Sequence, residues 1–272
     1  MTAPPTPTPP DPTALLDLAV DVARRVGRML VEERPDSLDV AATKTSPTDI
    51  VTEMDRAAER LVLRTVRAAR PDDGFLGEEG ADEPGTTGVR WVVDPIDGTV
   101  NYLYRLPAWA VSIAAEIDGQ AVAGVVHVPP LGETYTAVRG GGAFQDGRRL
   151  HGPTVVPLDR ALVGTGFGYE ARRRSAQGRV LAALLPRVRD IRRGGSAAVD
   201  LCNVATGRLD AYYERGVQRW DVAAAGLVAA EAGVRLGGLR GAPPSGELTV
   251  AAPEPLFGAL HDLLADLDAD RD

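Results

Sequence analysis

The chain has 272 residues, of which 44% are hydrophobic and 25% charged, a composition typical of a globular protein with one large or two modest domains. Its net charge of −8, from 30 basic and 38 acidic residues, disfavours binding to nucleic acid, because an acidic surface repels phosphate backbones. The apolar runs are shorter than the roughly 18 residues that a membrane-spanning helix needs, so we expect no membrane segment.

The first residues form a Pro/Thr-rich run over 1–13 that has neither the basic nor the apolar region of a signal peptide. We assign residues 1–10 to a disordered tail and residues 11–265 to one folded domain, with an α+β half at about 11–150 and an α/β half at about 151–265. The single cysteine, Cys202, has apolar neighbours in sequence and cannot form an internal disulfide. A reducing, cytoplasmic location is therefore expected.

In the first half, apolar residues repeat with helical spacing over 11–33 and again from 54 to about 70, which predicts two amphipathic helices. A short strand is predicted at 91–93, broken by Asp94-Pro95 and followed by a short helix that begins near Gly98. Three segments, 109–117, 121–128 and 133–138, predict an antiparallel meander.

In the second half, short strands are predicted near 161–167, 187–191 and 209–214. They alternate with predicted helices near 173–185, 196–206 and 221–232. Two short basic runs, 172–174 and 192–193, are interpreted as solvated surface. The second half is therefore expected to be α/β in character.

Three acidic segments lie in apolar or glycine-rich surroundings: 77–80, which contains Glu78, then 94–99, and Trp220-Asp221. Oxygen ligands of this kind suit a hard cation such as Mg²⁺, whereas three histidines and one cysteine make no zinc pattern. Each segment also has an ordinary interpretation, since Asp-Pro and Asp-Gly are common in turns and Asp221 could cap a helix.

The segment 94–99 combines several of these features. Pro95 fixes the turn, so that Asp94 and Asp97 could face a common point together with the Ile96 carbonyl. The backbone N–H groups of Gly98 and Thr99 at a helix start would attract an anion such as phosphate. The sequence therefore predicts a metal site next to a phosphate site.

Two long motifs stand out: 91–102, WVVDPIDGTVNY, and 220–226, WDVAAAG, which continues to EAG at 231–233. Through these motifs the chain resembles the inositol monophosphatase family of magnesium-dependent, lithium-sensitive phosphatases. Shorter matches are Lys44 with 46–55, then 75–79 and 211–214, and the resemblance extends from about residue 11 to 257.

The resemblance implies a layered α/β/α/β sandwich of the inositol monophosphatase and fructose-1,6-bisphosphatase type, with an antiparallel sheet in the first half and a smaller mixed sheet in the second. It also implies a homodimer acting on a small phosphorylated polyol, by in-line attack of a metal-activated water. Two or three Mg²⁺ ions would be held by Glu78, Asp94, the Ile96 carbonyl, Asp97 and Asp221. Glu78, Thr99 and Asp49 would orient the water. The substrate would contact Asp97, Gly98, Thr99, Gly195, Ser196, Ala197, Glu214 and Asp221.

Several alternatives stay open at this stage. Phosphatases of histidinol phosphate, fructose 1,6-bisphosphate and 3′-phosphoadenosine phosphate share the metal ligands, and only Glu214 and its neighbours favour inositol monophosphate. A noncatalytic regulatory or binding protein on the same scaffold is a second class, because fold does not fix function. A nucleotide-binding protein is suggested only by the glycine-rich segment 164–168, which lacks the lysine of a phosphate-binding loop.

Overall fold

The computed structural model describes residues 10–35, 42–43, 50–51 and 53–271. Two predictions therefore lie outside the described residues: Asp49, and all but Pro10 of the N-terminal tail. The helices of the described part are Pro12–Glu32 (α1), Glu53–Ala69 (α2), Thr99–Leu103 (α3), Ala171–Leu184 (α4), Ala197–Ala205 (α5), Arg219–Glu231 (α6) and Leu256–Asp266 (α7). None of them has the length and apolar character that spanning a bilayer requires.

The strands form one small ladder and two larger sheets. Their bounds are Ala42–Thr43 (β1), Ile50–Val51 (β2), Gly74–Gly77 (β3), Asp82–Glu83 (β4), Val89–Asp97 (β5), Ala110–Ile117 (β6), Gln120–Val128 (β7), Glu133–Val138 (β8), Gly142–Gln145 (β9), Arg148–Arg149 (β10), Leu162–Thr165 (β11), Asp190–Arg192 (β12), Ala211–Glu214 (β13), Arg235–Gly237 (β14) and Thr249–Ala252 (β15).

The large sheet has the order β10-β9-β8-β7-β6-β5-β3-β4. Its pairs are antiparallel except for β3 and β5, which run parallel, so the predicted antiparallel sheet contains one parallel pair. The smaller sheet has the order β12-β11-β13-β15-β14. It is mixed, as predicted, because β11 lies parallel to both β12 and β13 while β15 runs antiparallel to β13 and β14.

The sheets and helices stack in layers. One face of the large sheet packs on α1 and α2, through residues such as Leu30, Val62 and Val93. Its other face packs on α5 and α6, which also contact the smaller sheet through Tyr212 and Ala251. The layered sandwich is therefore confirmed, and α4 with α7 adds an outer helical layer on the far face of the smaller sheet.

Most predicted elements are present. Helix α1 begins after Asp11, whose side chain accepts a hydrogen bond from the Thr13 backbone N–H at 2.9 Å, and its buried face follows the apolar spacing. The meander of β6, β7 and β8 and the alternation of strands and helices in the second half are confirmed. The elements after residue 234, β14, β15 and α7, were not predicted, since their apolar runs are short and interrupted by glycine and proline.

One prediction about the first half was wrong. The strand at 91–93 is not broken by Asp94-Pro95 but continues as β5 to Asp97. It continues because the ladder with β6 shifts register there, so that Asp94 lies opposite Ser112 and Asp97 opposite Ala110. A bulge of this kind accommodates a proline, which cannot donate a ladder hydrogen bond.

Candidate metal centre

The bulge in β5 brings two carboxylates to one side. In a regular strand, side chains three residues apart point to opposite faces of the sheet. Between Asp94 and Asp97 the strand advances three residues while β6 advances two, and this extra residue changes the direction of the side chains. Both residues are buried: 2% of the surface of Asp94 and 8% of that of Asp97 are exposed.

Asp221 comes to the same point from the second half of the chain. It lies in the first turn of α6, and its carboxylate accepts a hydrogen bond from the Gln218 backbone N–H at 2.6 Å. Each of Asp94, Asp97 and Asp221 offers a carboxylate oxygen within 4.8 Å of those of the other two. The predicted ligands from two distant segments are therefore adjacent.

Glu78 completes the acidic group. It follows β3, which is the parallel neighbour of β5, and its backbone N–H donates to the Val93 carbonyl at 3.1 Å. This pairing places Glu78 beside Asp94: burial raises the pKa of Asp94, and the charge of Glu78 and a hydrogen bond between the two side chains add to the rise. Four predicted carboxylate ligands therefore belong to one cluster.

The cluster is electrostatically unfavourable without a counter-charge. Burial, followed by repulsion from neighbouring carboxylates, raises the pKa of both Asp94 and Asp221 well above the ordinary aspartate value. Within the described part of the chain, no basic side chain forms an ion pair with Asp94, Asp97 or Asp221. A set of buried carboxylate oxygens fits a hard divalent cation such as Mg²⁺, which would be held by Glu78, Asp94, Asp97 and Asp221.

Asp97 also links the cluster to the second half of the chain. Its Oδ2 accepts hydrogen bonds from the Ser196 hydroxyl at 2.5 Å and from the Ala198 backbone N–H at 2.6 Å, at the start of α5. Burial raises the pKa of Asp97 to about 6, although these hydrogen bonds oppose the rise. The Ser196 hydroxyl is therefore engaged with Asp97, whereas the neighbouring Gly195 and Ala197 line the cavity described below.

Thr99 and Gly98 lie where β5 passes into α3. The Thr99 hydroxyl is 3.0 Å from Asp55 Oδ1 and 3.1 Å from the Ile96 carbonyl oxygen, so its orientation is fixed by two acceptors. Gly98 adopts φ +96°, a left-handed conformation that favours glycine, and a Cβ atom there would lie 3.0 Å from the Ala108 carbonyl oxygen. The turn that carries the predicted phosphate contacts therefore requires glycine.

Glu214 ends β13 and faces the same cavity. The Tyr212 hydroxyl donates to its Oε2 at 2.7 Å, and a Cβ atom at Gly166 would lie 2.0 Å from that oxygen. Burial raises the pKa of Glu214 to about 7, while the positive charge of Arg193 acts in the opposite direction. Glu214 is therefore held in place by a tyrosine on its own strand and by the bare backbone of Gly166.

The acidic cluster and Glu214 open into a cavity of about 470 Å³. The predicted residues that line it are Glu78, Asp94, Ile96, Asp97, Gly98, Thr99, Gly195, Ala197, Glu214 and Asp221. A neighbouring cavity of about 460 Å³ contains Glu116, whose carboxylate is paired with Arg219 at 2.6 Å. The described residues that line this second cavity include no comparable acidic group, so the first cavity is the candidate site.

Three carboxylates near the site were not predicted. Asp55 and Glu59 lie on the buried face of α2, where Glu59 accepts hydrogen bonds from the backbone N–H groups of Glu79 at 2.8 Å and Ala81 at 3.4 Å. Glu59 thereby supports the loop that carries Glu78. Their signal in the sequence was their position, since both share a helical face with Ala58, Val62 and Val66.

The third carboxylate, Asp200, is buried in α5. Burial raises its pKa to about 8, and the charge of Glu214 adds to the rise. Its sequence neighbours Val199 and Leu201 are apolar, so the sequence offered no signal that it faces Glu214.

The chain is similar to known proteins in both sequence and fold. Residues 11–269 match the model of the inositol monophosphatase family. The inositol-1-monophosphatase SuhB of Mycobacterium tuberculosis is 46% identical over 255 residues, covering 90% of this chain and 87% of the relative. The Nus factor SuhB of Escherichia coli is 40% identical over 223 residues, covering 80% and 83%. The crystal structure of SuhB from Bartonella henselae has a TM-score of 0.86 at 35% identity, covering 92% of this chain and 98% of that one.

Proposed function

This chain belongs to the inositol monophosphatase family, and we propose that it is a magnesium-dependent phosphomonoesterase that hydrolyses an inositol monophosphate to inositol and phosphate. The observation that carries the proposal is the convergence of Asp94, Asp97 and Asp221, with Glu78 beside them, at the floor of one cavity. Carboxylates from the large sheet and from α6 would have no structural reason to form a buried, like-charged group unless a cation joined them.

Each residue has a role in this mechanism. Bound to these carboxylates, magnesium would supply the Lewis acidity that lowers the pKa of a water molecule and offsets the negative charge of the phosphate. The Thr99 hydroxyl, oriented by Asp55, would hold the attacking water in line with the ester bond, together with Glu78. The backbone of Gly98 and Thr99 would donate hydrogen bonds to the phosphate oxygens.

The proposal is tested by a phosphate-release assay with magnesium over inositol 1-phosphate, histidinol phosphate, fructose 1,6-bisphosphate and 3′-phosphoadenosine phosphate. We expect inositol 1-phosphate to have a higher kcat/KM than histidinol phosphate and 3′-phosphoadenosine phosphate. Lithium titrated against potassium at constant ionic strength should inhibit at millimolar concentrations. Preference for histidinol phosphate or 3′-phosphoadenosine phosphate would reject inositol and retain the metal mechanism.

The substrate preference depends on Glu214, and Glu214→Gln is the variant that tests it. A charge-assisted hydrogen bond from a ring hydroxyl to this carboxylate should contribute about 1.5–3 kcal/mol. We therefore expect the ratio of kcat/KM for inositol 1-phosphate to that for 4-nitrophenyl phosphate, which lacks ring hydroxyls, to fall roughly ten- to a hundredfold. An unchanged ratio with both rates reduced would show that Glu214 supports structure instead.

A regulatory role on this scaffold is the second candidate, favoured by relatives that carry the name Nus factor SuhB. The complete acidic group supports catalysis, and absence of phosphate release from every substrate in the magnesium assay would favour the regulatory role. The homodimer also stays a prediction, which light scattering of the purified protein can check.

A further inference from the structure

One wall of the cavity is a turn over residues 193–196 that joins β12 to α5. Gly195 of this turn lines the cavity and is one of the proposed substrate contacts. It adopts φ +94°, a left-handed conformation that favours glycine. Because glycine has no side chain, Gly195 can offer the substrate only its backbone, so the position of that backbone decides the contact.

The residue before Gly195 is held on one side by Asn101, which lies in α3 just after the proposed phosphate contacts at 98–99. The Asn101 amide donates to the Gly194 carbonyl oxygen at 2.9 Å and to the Ala108 carbonyl oxygen at 2.6 Å. Its side chain is buried, so water does not compete for these bonds. The turn is therefore tied to the helix that follows the metal-binding strand.

The other side of Gly194 is held by Asp200, in the first turn of α5. The Gly194 backbone N–H donates a hydrogen bond to the Asp200 carboxylate, and a Cβ atom at Gly194 would lie 2.3 Å from Asp200 Oδ1. Asp200 is 3% exposed and does not line the cavity. It can therefore act on a substrate only through the turn that it holds.

The surroundings of Asp200 are unfavourable for an acid. Burial, followed by the charges of Glu214 on β13 and Asp97 on β5, raises the pKa of Asp200 to about 8, whereas the hydrogen bond from Gly194 and the charge of Arg193 oppose the rise. An apolar side chain would avoid this repulsion, but it would leave the Gly194 N–H without an acceptor. The hydrogen bond to Gly194 is therefore what the acid provides at this position.

We propose that Asp200 is a positioning residue for substrate recognition: together with Asn101 it clamps Gly194 from both sides and so fixes Gly195 where the polyol ring of the substrate contacts the wall. The clamp joins α3, next to the metal site, to α5, next to Glu214. A wall that is already ordered loses little entropy when the ring binds, so the clamp should affect binding more than the chemical step. This inference rests on the proposed phosphatase function and adds a residue that does not touch the substrate.

The test compares Asp200→Ala with Asp200→Asn in the magnesium assay. The alanine variant removes the acceptor, so we expect its KM for inositol 1-phosphate to rise about tenfold while kcat changes by less than about threefold. For 4-nitrophenyl phosphate, which lacks ring hydroxyls, KM should change by less than about threefold. The asparagine variant keeps an oxygen that can accept the Gly194 N–H, so its KM for inositol 1-phosphate should stay within about threefold of the wild-type value.

Asp210→Ala is the matched control. Asp210 is a half-buried aspartate that also accepts a backbone N–H, from Leu162 at 2.7 Å, and it lies outside the cavity. Its loss should leave KM unchanged. Misfolded protein lowers the apparent kcat but not KM, so KM separates the clamp from a loss of stability. Asp200→Leu, a branched side chain without an acceptor, should raise KM as alanine does and serves if the alanine variant does not fold.

The outcomes separate the two proposals. A wild-type KM in the variants without an acceptor, an equal rise in Asp200→Asn, or an equal rise for 4-nitrophenyl phosphate would overturn the clamp while leaving the phosphatase proposal intact. If the wild type releases no phosphate from either substrate in the presence of magnesium, the phosphatase proposal fails as well.

Discussion

Chelation of divalent metal should reduce phosphate release to the level of a blank without enzyme, and added magnesium should restore it. The reason is that the residues lining the cavity offer no other means of producing a strong nucleophile at neutral pH. The single cysteine of the chain, Cys202, is fully buried outside the cavity, and burial raises the pKa of its thiol. Zinc should substitute poorly, since the ligand set is oxygen only.

The measurement is a phosphate-release assay with inositol 1-phosphate after dialysis against EDTA, followed by a magnesium titration. Circular dichroism of the dialysed protein provides the control, because a folded but inactive apoprotein assigns the loss to the metal and not to unfolding. Full turnover in metal-free buffer would contradict the mechanism.

Asp94→Asn should lower kcat/KM by roughly a hundredfold or more, which corresponds to at least about 2.7 kcal/mol of transition-state stabilisation. The substitution retains the shape of the side chain, and an amide oxygen can still accept the Ile96 backbone N–H that Asp94 Oδ1 accepts at 3.0 Å. What it removes is one negative charge from the cation site. It also relieves repulsion from Glu78, Asp97 and Asp221, so the metal-free variant should unfold at no lower temperature than the wild type.

Steady-state kinetics at several magnesium concentrations, together with thermal unfolding in EDTA, would test both parts of this prediction. Asp262→Asn is the matched control, because its side chain is 82% exposed and lies outside the cavity. Near-normal turnover of Asp94→Asn at saturating magnesium would show that the Asp94 carboxylate is not needed to hold the metal.

The sequence predicted the layers and the members of the acidic cluster but not how those carboxylates reach one another. Long amphipathic helices such as α1 and alternating strands such as β6 leave a periodic signal, and they are where predicted. Asp94-Pro95 indicated a break because proline interrupts a ladder, whereas only the partner strand reveals that the ladder resumes after a bulge.

The supporting residues were harder to predict than the ligands. In the sequence, Asp55 and Glu59 resemble ordinary polar positions of a helix. Their roles follow only from the structure, in which Thr99 hydrogen-bonds to Asp55 and the loop at 77–81 to Glu59. Arg173 lies half-buried in the cavity wall, whereas Arg172 and Arg193 are exposed, as the solvated-surface interpretation predicted. A run of charge in the sequence does not distinguish these positions. Contacts between segments far apart in sequence decide the roles of Asp55 and Glu59.

The dispersal of the proposed metal ligands along the chain limits how this protein can be divided. Asp94 and Asp97 belong to the large sheet, whereas Asp221 begins a helix that is packed between the two sheets. A fragment that ends near residue 150 would retain a sheet but only part of the ligand set, and the complementary fragment would retain Glu214 without Asp94. The two halves are distinguishable by topology, yet neither is a module that evolution or an engineer could transplant with its chemistry.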